Sequence, residues 1–238
     1  MEISNKVIAI HQPNFFPWLG YFNKIAKADT FVFLDHVQFS KTAGTWSNRV
    51  QIVINKSPSW LTAPIDRNFH GLRNINEMNY QKNSQWRQKL IKTIEFNYRK
   101  SPFFKEVIST IEPLVLNEEE SISKYNIRAV KLIANKLNIP SEKFILSSEL
   151  NFEGHSNEML VSIVKALKGS IYMCGGGADG YQNEDVFKNN VISLKRQDFV
   201  HPQYEQFNSD FFQPGLSILD ALFNVGWDQT MQLIHNFD

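Results

Sequence analysis

Cysteine is almost missing from this chain: Cys174 is the one thiol in 238 residues. A single cysteine excludes an intramolecular disulfide, and a reducing compartment is the expected setting. Zinc frameworks are excluded as well, because the six histidines are scattered and no pair has zinc-ligand spacing. The chain has little excess charge of either sign, with 25 Lys plus Arg against 24 Asp plus Glu. That balance supplies no electrostatic footprint for nucleic acid or an anionic membrane. No apolar run approaches the roughly 20 residues that cross a bilayer. The first ten residues lack the charged segment and long apolar segment of a secretory signal. A cytoplasmic protein with no membrane span and no nucleic-acid partner is expected.

Aromatic residues, by contrast, are abundant at 13%, with 19 Phe. Most of them are expected in a large core, since aromatics bury more area per residue than other side chains. One domain over residues 1–238 is long enough for such a core. Val7-Ile8-Ala9-Ile10 reads as a buried strand that ends at His11-Gln12-Pro13-Asn14, where Pro13 and Pro17 enforce a loop. Trp18, Tyr21, Phe22 and Ile25 then mark one face of a helix, and Thr30 to Leu34 a second strand closing at Asp35. Strand, helix and strand within about thirty residues make a βαβ unit with parallel strands.

Val50 to Ile54 and Ser59 to Ala63 predict a hairpin, and residues 65–79 a long surface loop. Three helices are predicted within residues 83–138: Asn83 to Arg99, Pro102 to Glu112 after a Ser101 cap, and Ser121 to Leu137. The alternation then resumes with strands at 143–146, 170–173 and 191–194 and a Ser-capped helix at 156–167. Helices at 217–223 and 228–236 close the chain. The fold class is therefore α/β, a mostly parallel sheet flanked by helices with a helical insertion at about 83–138.

Ligands of open parallel sheets bind at the carboxyl ends of strands. Three such ends carry polar chemistry: His11 with Gln12 and Asn14, then Asp35, then Cys174 with its glycine run. Triple glycine at 175–177 frees the backbone to approach a ligand and point N–H groups at an anion. Asn48-Arg49 sits ahead of the predicted hairpin, and the Arg49 fork suits bidentate anion recognition. In one reading, Cys174 is a nucleophile with His201 as its base and His11 in the same pocket. The N–H groups of Gly175 and Gly176 then form an oxyanion hole, and Asp179 or Asp35 orients the imidazole. Two other readings compete. One is a nucleotide-binding transferase, on the strand, His-containing loop and helix order. The other is a non-catalytic scaffold, on the Phe content and the helical block.

The segment from Ile10-His11-Gln12-Pro13-Asn14 through Trp18-Leu19-Gly20-Tyr21 to Ile25 resembles the N-terminal signature of the WbqC-like family. Trp46-Ser47-Asn48-Arg49 and Trp60-Leu61-Thr62-Ala63-Pro64 are similar to its next blocks, and Tyr172 to Tyr181 to its glycine-rich block. His201-Pro202-Gln203-Tyr204 and Leu216 to Asn224 resemble its closing signatures. The blocks occur in order along nearly the whole chain. The resemblance implies a bacterial protein from the gene context of surface polysaccharides, O-antigens above all. With that context, the Cys174–His201 reading becomes acyl or aminoacyl transfer to the amino group of a sugar nucleotide. The co-substrate of that reading is an acyl thioester on a carrier protein or coenzyme A, with no bound cofactor. Tyr181 joins the expected substrate-binding residues through the glycine-rich block.

Overall fold

Residues 5–39, 45–83, 85–175 and 182–235 are described by the computed structural model. The segments named above as apolar runs form β1 (Val7–His11), β2 (Thr30–Phe33), β5 (Phe144–Leu146), β6 (Ile171–Cys174) and β7 (Ser193–Arg196). All five are parallel and lie in the order β5-β2-β1-β6-β7. The hairpin β3 (Arg49–Ile54) and β4 (Ser57–Thr62) makes a separate antiparallel pair. The helices are α1 (Leu19–Lys27), α2 (Gln85–Tyr98), α3 (Phe104–Val115), α4 (Ile122–Lys136), α5 (Ser156–Ala166), α6 (Glu184–Asn189) and α7 (Ile218–His235). The predicted α/β fold is the observed one, and the predicted insertion holds α2, α3 and α4.

Side chains alternate across a strand, and here the alternation separates two cores. Ala9, Phe31, Phe33 and Met173 join the larger core with α1, α4 and α7. Ile8, Ile10, Val32, Tyr172 and Cys174 join a smaller one with α5 and α6. The chain lays β1, β2 and β5 outward in one direction, then returns to place β6 against the other side of β1. The winding reverses between β1 and β6, and that reversal opens a crevice at their carboxyl ends.

Several local expectations shift. β7 begins two residues later than the apolar count suggested, because Val191 sits in a turn at φ 60 and is 80% exposed. Ser101 and Pro102 form a turn ahead of α3, and the Ser101 hydroxyl donates to Asn224 Oδ1 instead of capping the helix. Ser156 does not cap α5; it takes φ 52, and His155 precedes the helix without a side-chain cap bond. The short α6, capped by Asn183 accepting from the Asp185 amide, was not foreseen.

The two predicted C-terminal helices run as one element broken at Gly226, whose φ of 74 and ψ of −178 only glycine adopts readily. A Cβ there would lie 2.6 Å from the Phe103 ring. Gly226→Ala should cost about 2–4 kcal/mol through backbone strain and overpacking. Urea unfolding checks this, and a loss under about 0.5 kcal/mol would show that the break does not need glycine.

Candidate functional site

A cavity of about 770 Å³ fills the crevice at the carboxyl ends of β1, β6 and β7. Its volume lies within the range of small-molecule sites, about 300–1,000 Å³. The wall combines His11, Trp18, Tyr21 and Lys24 with Trp46, Gly175, Gln197 and His201.

The loop after β1 is held from three directions. Asn126 of α4 is fully buried and its amide donates to the Pro13 and Ser47 carbonyls at 3.0 and 2.7 Å. The Ser217 hydroxyl donates to the Phe16 carbonyl at 2.6 Å, and the Phe15 amide donates to the Trp46 carbonyl at 2.8 Å. The helical insertion therefore fixes both the His11 loop and Trp46. From the other side, Gln197 at the end of β7 donates to the Gly20 carbonyl at 2.6 Å and to Asn23 Oδ1 at 2.9 Å. That bridge ties the β7 loop to α1 across the crevice.

His11 is the last residue of the central strand. Its ring meets Tyr21 and Trp18 edge-on, at centroid distances of 4.8 and 6.0 Å. Burial, with the Lys24 ammonium second, pushes its pKa down to about 3, so the imidazole is neutral at physiological pH. Nδ1 lies 3.1 Å from the Gln12 carbonyl. The tautomer assigned from that contact carries its proton on Nδ1 and leaves the Nε2 lone pair as an acceptor. His201 has the opposite tautomer: the Gly215 amide donates to its Nδ1 at 3.3 Å, which leaves Nε2–H as a donor. Burial lowers its pKa too.

Three tryptophans lead away from the cavity in a row. Trp18 and Trp46 have ring centroids 5.3 Å apart, and Trp46 and Trp60 5.5 Å. Trp46 and Trp60 are each 41% exposed, which leaves apolar ring faces open beside the cavity mouth. Arg49 stacks on the outer end of this row, its guanidinium 4.1 Å from the Trp60 centroid.

His11, His201 and Gly175 share the cavity wall. Cys174 does not line it. Tyr172 and Cys174 point into the smaller core, whereas His11 falls in the Ala9 register of the opposite face. The thiol is 3% exposed and reaches the Lys195 carbonyl at 3.7 Å. Both imidazoles line the cavity and the Cys174 thiol does not, although it lies within electrostatic reach of Lys24 on that wall.

Asp35 sits in a second cavity, of about 850 Å³, along α4 and the edge strand β5. Its carboxylate accepts from the Ser147 hydroxyl, the Ser148 amide and the Ser148 hydroxyl at 2.7–3.0 Å, so it joins the ends of β2 and β5 rather than orienting an imidazole in the first cavity. Asn48 closes the open end of the hairpin, donating to the Ala63 carbonyl at 3.0 Å and accepting from the Thr45 hydroxyl at 2.8 Å. The Gln12 side chain is exposed, and Asn14 is 2% exposed with its amide nitrogen unpartnered among the described residues. Gly176, Asp179 and Tyr181 lie outside the described residues.

Lys24, Tyr21, Trp46 and Gln197 are wall residues that sequence reasoning passed over. Lys24 is the most informative omission. It lies on the buried face of α1, at position i+4 from Gly20, where a lysine is out of pattern. That irregularity was visible in the sequence.

A model of the WbqC-like protein family matches residues 12–232. The chain is also similar to the uncharacterized protein Rv1507c of Mycobacterium tuberculosis (strain ATCC 25618 / H37Rv), at 30% identity over 224 residues covering 93% of this chain and 94% of that relative. No solved structure matches the chain. The family match spans the cavity wall from Trp18 to His201. The chain belongs to the WbqC-like protein family.

Proposed function

We propose that this protein transfers an acyl or aminoacyl group to the amino group of an amino sugar, presented as a sugar nucleotide, during bacterial surface-glycan assembly. The donor is a thioester carried on coenzyme A or on an acyl carrier protein. The observation that carries this reading is the pairing, in one aromatic-walled cavity, of an imidazole acceptor at His11 and an imidazole donor at His201. Acyl transfer to an amine needs both. The apolar face of a pyranose ring stacks on Trp46, which brings the sugar amine to the carboxyl end of β1.

In this scheme the amine attacks the thioester carbonyl directly. The N–C bond forms and the C–S bond breaks. His11 Nε2 takes the amine proton and returns it to the departing thiolate, giving an amide and a thiol. His201 Nε2–H hydrogen-bonds the carbonyl oxygen as negative charge grows on it. Cys174 carries no acyl group, consistent with its burial in the smaller core.

Incubating the purified chain with a panel of nucleotide-linked amino sugars and acyl or aminoacyl thioesters tests the reading by mass spectrometry. One pair should give a product heavier by the acyl group, with stoichiometric release of thiol. Turnover of the same sugars lacking the amine would contradict it.

A further inference from the structure

Acyl transfer from a thioester to an amine needs no fixed positive charge beside its base, yet this cavity holds one. Lys24 is 3% exposed and lines the same wall as His11. An ammonium offers three donors, and one of them reaches the Ile10 carbonyl at 3.1 Å. Among the described residues no carboxylate lies within ion-pair distance of it. Burial holds its pKa down to about 8, so it is still mostly charged at neutral pH. A buried charge is ordinarily paired with a carboxylate; this one has the Cys174 thiol as its electrostatic neighbour and lines the cavity.

The helix that carries it supplies a second feature. α1 starts without a side-chain cap and without an acidic residue in its first turn. Helical side chains lean toward the helix N-terminus, so Lys24 lies back over the turn that holds Gly20. Gly20 has no side chain there, and its backbone lines the cavity. A Cβ at this position would sit 2.8 Å from both the Trp18 indole nitrogen and the Phe199 ring. The first turn of a helix presents N–H groups and the positive end of its dipole. The buried ammonium and Gly20 of the uncapped helix start line the same cavity.

We propose that Lys24 and the first turn of α1 bind a phosphate or pyrophosphate group of the substrate inside this cavity. The identification of that group with a sugar nucleotide rests on the transferase reading; the anion site itself does not. The titratable groups that share the described wall are His11, His201, Tyr21, Tyr172, Lys24 and Asp198, and the Cys174 thiol acts on Lys24 from β6. Asp198 is the one carboxylate among them and is exposed. An anion at Lys24 cancels the positive charge that helps hold His11 neutral, so His11 becomes a stronger base when a phosphorylated substrate is in place. Base strength is thereby coupled to occupancy.

Inorganic pyrophosphate is the probe, titrated calorimetrically into the full chain and into Lys24→Met. Saturable binding is expected to weaken at least tenfold in the variant, with the fold intact by circular dichroism. In histidine-labelled protein, pyrophosphate should raise the His11 pKa by at least one unit in the parent and leave it unmoved in the variant. Equal affinity in both proteins, or no saturable binding to the parent at millimolar concentration, overturns the proposal. Pyrophosphate needs no acyl donor, so these results stand whether or not acyl transfer is found. If acyl transfer is found and Lys24→Met uses the sugar nucleotide with unchanged KM and kcat, the anion site is wrong and the transferase reading survives.

Discussion

Lys24→Met should make the protein more stable at pH 7, by about 2 kcal/mol. Moving an ammonium from its ordinary 10.5 to about 8 corresponds to about 3 kcal/mol of disfavoured charge. Losing the hydrogen bond to the Ile10 carbonyl takes back about 1 kcal/mol. The sign follows from linkage. Below pH 8 both folded and unfolded chains hold the Lys24 proton, and the folded state carries the full cost of the buried charge. Between pH 8 and 10.5 the folded chain releases that proton first, and the cost fades. The advantage of the methionine variant should therefore be largest at neutral pH and vanish near pH 10.5. Urea unfolding at pH 7 and pH 10 measures both. A variant less stable than the parent at pH 7 would make Lys24 a structural prop, whereas higher stability with lost anion binding marks a residue kept for function.

Asp220→Ala should have the largest destabilising effect, about 3–5 kcal/mol. This carboxylate is fully buried, and among the described residues no cation forms an ion pair with it. It accepts from the Tyr98 hydroxyl at 2.7 Å, the Tyr204 hydroxyl at 2.7 Å and the Gln206 amide at 2.8 Å. Tyr98 in turn accepts from the Val53 amide at 2.9 Å, so one side chain fastens α2, the hairpin, the 204–206 loop and α7. Truncation strands two hydroxyls in the core and takes one acceptor from the Gln206 amide, which keeps the Gln213 carbonyl. Asp220→Asn keeps the shape and one of the two acceptor oxygens and should recover about half of the loss. Burial raises the Asp220 pKa despite these bonds. A raised carboxylate pKa means that the folded state holds its proton longer, so this residue's contribution falls as pH rises above the ordinary 3.8. The gap between parent and Asp220→Asn should accordingly widen as pH falls from 7 toward 4. A fixed gap across that range would show that the carboxylate titrates as it does in the unfolded chain. The same loop begins near His201, so Asp220→Ala should also lose activity beyond its loss of folded protein.

Much of this architecture was legible in local pattern. The apolar runs at Val7–Ile10 and Phe31–Phe33, bounded by Pro13, Asp29 and Asp35, are strands because both faces of a parallel strand are covered. The hairpin could be read from Asn55-Lys56, both of which take positive φ. Strand order was not legible, because the pairing of β6 with β1 joins residues more than 160 positions apart. Without that order, His11 and Gly175 could not be matched to one crevice. The direction of Cys174 was within reach. Ile171-Tyr172-Met173-Cys174 alternates, so a buried Met173 on one face already turns Cys174 to the other. Trp46 lay in a block noted only for Asn48 and Arg49; its place at the cavity comes from the Phe15 amide bond, a contact between distant loops.

In the proposed scheme chemistry takes place at the carboxyl end of β1 and not at the Cys174 sulfur. Parallel kcat/KM measurements on His11→Ala and Cys174→Ala, with the acceptor and thioester found in the substrate panel, separate the two places. His11→Ala should fall by about 10²–10⁴, the range expected for a lost general base. Cys174→Ala should stay within about threefold of the parent, as expected for a small buried residue whose removal touches only packing. An inactive Cys174→Ala, folded and trapping no acyl-enzyme, beside a His11→Ala that turns over normally, would move the active site to the other face of the sheet.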